Sequence, residues 1–188
     1  MKKLIALAAT FFLLSCGNNG DKTNRTSGDE NMDTASAAND ISNTGGSKIS
    51  VSITGGPNEG IYHVITKDPT CSEGLTGENS FGNQYSEINK ADNELSSVQL
   101  IIDDKNAAKK GTDKFSISVG FGKISGGKKY DINTRGNNSG LKKEGSGTAT
   151  LTESGNTKTV VIEGKTADGV GISATLVCNK ITTANGRQ

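Results

Sequence analysis

Between residues 48 and 183 the apolar side chains alternate with polar ones and do not recur at helical spacing. In KISVSIT, Ile49, Val51 and Ile53 share a face; in KFSISVGF, Phe115, Ile117, Val119 and Phe121 share one, with Ser116 and Ser118 opposite. A period of two with polar partners predicts half-buried strands. The same reading places strands at 61–66, 97–102, 147–152, 158–163 and 170–178. Turn signals at Glu153-Ser154-Gly155-Asn156 and Ala167-Asp168-Gly169 separate the last three, so 147–178 reads as an antiparallel meander. The one helical segment is 105–110, with Asp104 as a cap and Gly111 as a stop; it is short enough to be a turn. With 25 Gly and 2 Pro in the chain and short strands throughout, the expected class is all-β, an antiparallel sandwich or open barrel closing on that meander.

The amino terminus follows a different pattern. Met1-Lys2-Lys3 precedes LIALAATFFLL, residues 4–14, and then Ser15. A charged start, a short apolar run and a small residue form the anatomy of a secretory signal peptide. A spanning helix needs about 20 apolar residues, and this run is shorter. A buried helix would need an apolar surface to pack on, and the next thirty or so residues supply none.

Leu13-Leu14-Ser15-Cys16 resembles the lipobox of bacterial lipoproteins, although Leu14 stands where that family more often has a smaller or β-branched residue. The resemblance implies cleavage before Cys16 and acylation of its thiol, which makes Cys16 the first residue of the mature chain. Two or more acyl chains, at about 0.8 kcal/mol per buried methylene, hold a protein on a membrane without spanning it. Gly17 stands where inner-membrane lipoproteins of enterobacteria often carry Asp, which favours the outer membrane as destination.

From residue 17 to residue 47 the chain has no aromatic residue, and Met32 and Ile41 are its only sizeable apolar side chains. Its seven charges sum to minus three, and it offers too little apolar surface to offset ordering, so a disordered linker is expected. Treated as a flexible coil it spans about 30 Å. Asp33-Thr34-Ala35 resembles the O-glycosylation signal of exported Bacteroidota proteins, which implies modification at Thr34; a plain solvated linker is the other reading. The organisation is thus signal peptide 1–15, lipidated Cys16 and linker 16–47, β domain 48–183 and tail 184–188.

Two cysteines remain for the domain. Cys71 follows Pro69-Thr70 and reads as a loop residue, while Cys178 continues the inward face of Val170, Ile172, Ala174 and Leu176. An exported chain meets an oxidising compartment, so a bond between Cys71 and Cys178 is expected. The closing stretch from Gly145 to Cys178 loosely resembles the end of the mycobacterial 19-kDa lipoprotein antigen family, which implies a small β domain ending on a strand with a terminal cysteine.

The chain carries a formal net charge of +1, yet the charges are segregated. Residues 48–104 hold three basic and nine acidic side chains, whereas 105–143 hold ten basic and two acidic. Lysines 105, 109, 110, 123, 128, 129, 142 and 143 either gather into one patch or face the acidic block across neighbouring strands. A patch, with Lys123, Lys128, Lys129, Arg135, Lys142 and Lys143 as its ligand-binding residues, suits an anionic glycan or lipid head groups. Nucleic acid fits poorly, since Phe115 and Phe121 belong to a strand's apolar face and Tyr130 alone is left in the basic block as a stacking ring.

Other motifs read as ordinary structure. GKISGGKK nearly spells a phosphate-binding loop, but Lys129 replaces its Ser or Thr and YDINTRGNNSG continues as turns; a hairpin connection is expected. His63 is the only histidine, so a histidine-rich zinc site is excluded, and no Ser lies in a G-x-S-x-G context. Asp92, Glu94, Asp103 and Asp104 lack the spacing of a calcium loop. The expected function is a lipid-anchored envelope protein, without catalysis or cofactor, that binds or supports another envelope component. The alternatives are an anionic-glycan or head-group module and, third, a hydrolase built around His63.

Overall fold

A computed structural model describes residues 46–135 and 142–184. The expected signal peptide, Cys16, Thr34, the expected linker as far as residue 45 and the tail from residue 185 lie outside the described residues; Ser47, expected in the linker, is buried and begins the first strand. The domain is all-β, two sheets packed face to face as a sandwich; no barrel closes. The strands are β1 (Ser47–Thr54), β2 (Gly60–Ile65), β3 (Cys71–Glu73), β4 (Phe81–Ser86), β5 (Leu95–Ile102), β6 (Phe115–Phe121), β7 (Lys128–Asn133), β8 (Ser146–Ser154), β9 (Thr157–Lys165), β10 (Gly171–Cys178) and β11 (Ile181–Thr183). One short helix, α1 (Lys105–Ala108), follows β5. The first sheet runs β2-β1-β10-β9-β8 and the second β11-β3-β4-β5-β6-β7, with every pair antiparallel except β11 and β3.

The alternating strands fall as their patterns predict. Ile49, Val51 and Ile53 of β1, Phe115, Ile117, Val119 and Phe121 of β6, and Ile172, Ala174, Leu176 and Cys178 of β10 are all buried between the sheets. Each such aliphatic or aromatic side chain contributes about 1.5–3 kcal/mol when removed from water. The meander β8-β9-β10 is present, and Asp104 caps α1 by accepting from the Asn106 and Ala107 amides at 2.9 and 3.4 Å. Gly111 ends that segment at φ +85°, a conformation that costs glycine little.

Four features differ from the expectations. Cys71 begins β3 and does not lie in a loop. Residues 128–133, expected as the end of a hairpin connection at 128–129 and the start of a turn-rich continuation from 130, form β7, because Tyr130 and Ile132 bury their side chains and complete the β6 hairpin. β4 was not anticipated: its apolar positions, Phe81 and Tyr85, are separated by Gly82, Asn83 and Gln84, which hides the alternation. β11 is three residues long and exists through its pairing with β3.

The Cys71–Cys178 disulfide joins β3 of one sheet to β10 of the other, with the Cα atoms 6.1 Å apart. It sits where the chain crosses for the last time, since Ile181 pairs with Cys71 three residues after Cys178. Elsewhere the sheets approach closely over two glycines. Gly147 and Gly164 are cross-strand partners in β8 and β9; a Cβ on the first would lie 3.1 Å from the Phe115 ring, and one on the second 2.7 Å from Ile132 Cδ1. Side chains from the second sheet fill the space those glycines leave.

Candidate functional site

The basic block does not form one patch. Lys105 pairs with Glu73 at 2.7 Å and Lys109 with Glu153 at 2.7 Å, while Lys158 bridges Glu73 at 2.8 Å and also Glu153. Three lysines and two glutamates thus alternate across β3, α1, β8 and β9. Arg135 is drawn to the acidic block as well, donating through Nε and Nη2 to Asp103 Oδ1 at 2.9 and 2.6 Å. Lys143 is exposed and lines neither of the two hollows described below.

In the network, burial opposes ionisation of Glu73, but the Lys105 and Lys158 ammonium groups outweigh it and hold its carboxyl below the ordinary range. Hydrogen bonds from Lys109 and Lys158 pull Glu153 down to about 2. Carboxylates with depressed folded-state pKa values stabilise the fold above their unfolded values and lose that contribution as the pH falls through the folded ones. Stability is therefore expected to fall between about pH 4.5 and about pH 2, and a Glu153→Gln variant to lose less over that interval. Urea midpoints measured across it check this; identical pH slopes in the two proteins would contradict the role of Glu153.

The other predicted residues do converge, on the outer face of the second sheet. There β5, β6 and β7 are in register, so that Ser97, Gly120 and Lys129 form one cross-strand row, Gln99, Ser118 and Asp131 the next, and Ile101, Ser116 and Asn133 a third. The first row floors a small hollow of about 50 Å³ lined also by Lys123, Lys128 and Ser86. Gly120 keeps that hollow open: a Cβ there would come within 2.3 Å of Ser97 Oγ. The second and third rows floor a groove of about 500 Å³, walled by Arg135, Lys142 and Glu144. Gln99 belongs to both, so the two hollows adjoin.

Local structure sets the walls. Asn133 Nδ2 donates to the Lys142 carbonyl at 2.9 Å, and Asn133 and Glu144 exchange backbone bonds at 2.8 and 2.9 Å, holding residues 142–144 against the β7 edge. Asp103 Oδ1, accepting from both Nε and Nη2, fixes the orientation of the Arg135 guanidinium. Lys128 reaches over the Tyr130 ring, with Nζ 5.3 Å from the centroid, and its charge contributes to holding Asp168 below its usual pKa, mainly a consequence of the Thr166 hydroxyl bond.

Five of the six predicted ligand-binding residues thus border this face, in two groups: Lys123, Lys128 and Lys129 at one hollow, Arg135 and Lys142 at the other. The polar floor of Gln99, Ser116, Ser118 and Asp131 was not singled out from the sequence. Its signal was the polar half of each alternating strand, which any solvated sheet face also carries. Chemically the surface offers cations for an anionic group and amide, hydroxyl and carboxylate groups for a hydroxylated one.

His63 lies elsewhere, exposed on β2 of the first sheet and opposite Ser50 in register. Asp104 is engaged as the α1 cap and Asp103 with Arg135, and among the described residues no three His, Cys, Asp or Glu side chains converge to hold a metal ion. No helix among the described residues is long and apolar enough to cross a membrane. No family model, no curated protein and no solved structure matches this chain.

Proposed function

We propose that this is a cell-envelope protein, tethered through acylated Cys16 to the outer membrane, whose β domain binds without catalysis. Its ligand is an anionic glycan or the anionic head group of a lipid. The observation that carries the reading is the set of four lysines, Lys123, Lys128, Lys129 and Lys142, that border two adjoining hollows on the outer face of β5, β6 and β7, with Arg135 beside Lys142 held by Asp103. The lipobox resemblance supports the anchor, and the disulfide accords with an oxidising compartment.

Two measurements test it. Labelled palmitate is incorporated by the native chain and not by Cys16→Ser. The full chain is retained on a column of an anionic polysaccharide or on vesicles rich in anionic lipid, and elutes earlier as salt rises, since exposed charges are screened beyond about 8 Å at physiological ionic strength. Lys128→Glu with Lys129→Glu weakens retention by more than about 2 kcal/mol, over roughly 30-fold, since two cations worth about 1 kcal/mol each near an anionic surface are lost and two repelled carboxylates replace them. Binding that ignores both salt and these substitutions would refute the basic-face reading while leaving the anchor to the palmitate experiment.

A further inference from the structure

The four outermost strands of the two sheets are not alike. On β8 the outer edge is occupied at Ala149, which exchanges backbone bonds with Thr112 at 2.8 and 2.9 Å, and on β7 at Asn133, which does so with Glu144. β11 is only three residues long. Short length, local capping and charge are the ordinary ways in which proteins blunt a strand edge. β2 has none of them: its six residues, GIYHVI, include no Lys, Asp, Glu or Pro, and among the described residues only β1 pairs with it. Its outward side chains include Ile61 and Ile65, which are 69% and 56% exposed.

The ladder shows which backbone groups that edge presents. The Thr66 amide donates to the Ser47 carbonyl at 2.9 Å, so the even-numbered residues of β2 bond inward to β1. In an antiparallel ladder the alternate residues face the other way. The N–H and C=O groups of Ile61, His63 and Ile65 therefore point to the open edge. These three residues are symmetric about His63, an isoleucine on either side, with Tyr62 and Val64 between them on the half-buried face.

We infer that two copies of this chain pair through β2, antiparallel and with the two-fold axis at His63, so that the five-stranded sheets join into one. Ile61 then lies opposite Ile65 of the second copy, and His63 opposite His63. Each of these pairs exchanges both backbone bonds, and the exposed isoleucines cover one another. A two-fold contact must be self-complementary, and this edge meets that condition: pairing about His63 sets isoleucine on isoleucine, and β2 carries no Lys, Arg, Asp or Glu that would face its own kind. The inference is independent of the glycan reading, because β2 and the hollows lie on different sheets.

Cysteine cross-linking in the full chain carrying Cys16→Ser tests it, with the protein in detergent and a short bismaleimide as reagent. His63→Cys yields a covalent homodimer, and Thr148→Cys, on the same outer face but on β8, does not. When chains bearing Ile61→Cys and Ile65→Cys are mixed, they cross-link to each other in preference to themselves. Adding Ile61→Lys and Ile65→Lys to the His63→Cys chain abolishes the dimer, while an intact Cys71–Cys178 bond and an unchanged melting temperature show that the domain still folds. No dimer at position 63, equal yields at 63 and 148, survival of the dimer in the double-lysine chain, or cross-linking to a different protein alone would each overturn the pairing.

Discussion

Replacing Cys71 and Cys178 together with serine is expected to lower the unfolding free energy by about 4.7 kcal/mol, the chain-entropy value for closing a loop of about 100 residues. The bridge closes 107 residues, nearly the whole distance from β3 to the end of β10. Single domains are stable by only about 5–15 kcal/mol, so the variant would sit near the edge of folding. Local contacts add to the loss: the Cys71 sulfur is 3.7 Å from the Ser47 hydroxyl and accepts from Asn83 Nδ2 at 3.3 Å. The sulfur bridge also lies beside the β10 to β11 crossing, so β11 should fray first. Urea unfolding reads the result, and the slope with denaturant separates its causes. If the bridge acts by restricting the unfolded chain, the slope rises in the variant because more surface is exposed on unfolding. An unchanged midpoint would mean that the bond holds nothing the packing does not already hold.

Phe121→Ala is expected to cost about 3–5 kcal/mol, the range for deleting a buried phenylalanine ring. Phe121 ends β6 at 1% exposure and meets two rings edge to face: Tyr62 of β2, with centroids 4.8 Å apart, and Tyr130 of β7, at 5.8 Å. The Tyr62 and Tyr130 hydroxyls both reach Asn58, donating to its carbonyl and to Oδ1 at 3.1 Å each. The phenylalanine thus lies at the centre of a contact that ties the β1 to β2 connection to the second sheet. Phe121→Leu should cost less, since it keeps most of the volume. Tyr130→Phe should cost about 1–3 kcal/mol for a different reason, the buried Asn58 oxygen left without its donor. The substitutions share partners, so their effects should not add, and a double-mutant cycle measures the coupling. If Phe121→Ala and Phe121→Leu unfold at the same urea concentration as the native chain, the ring cluster does not hold the sheets together.

The strands that could be read from the chain are those whose burial is regular. β1, β6 and β10 alternate without interruption, and the alternation alone assigns each side chain to a face. Asp104 and Gly111 mark α1 by chemistry that acts within a few residues. β3, β4 and β11 were missed because local pattern does not make them strands. β4 buries Gly82 and Asn83 along with its apolar residues, and β11 has partly exposed side chains and is held by a parallel neighbour more than a hundred residues away. Lys128 and Lys129 obscured β7, although Tyr130 and Ile132 carried the signal.

The same distinction applies to the site. Ten basic residues in 105–143 stand out in the sequence, and the alternatives of one patch or of charges facing each other were both open. The structure divides the lysines: Lys105 and Lys109 meet acidic partners, Lys123, Lys128, Lys129 and Lys142 border the hollows, and Arg135 does both. Sequence by itself determined the class of fold, the inward faces of the regular strands and the pair of cysteines that could bridge, since these follow from periodicity, turn chemistry and cysteine number. Only the tertiary structure decided which cations adjoin, what floors them, and which strand edge is open among the described residues. Those depend on strand order and register, set by burial between residues far apart in the chain, and no local pattern encodes them.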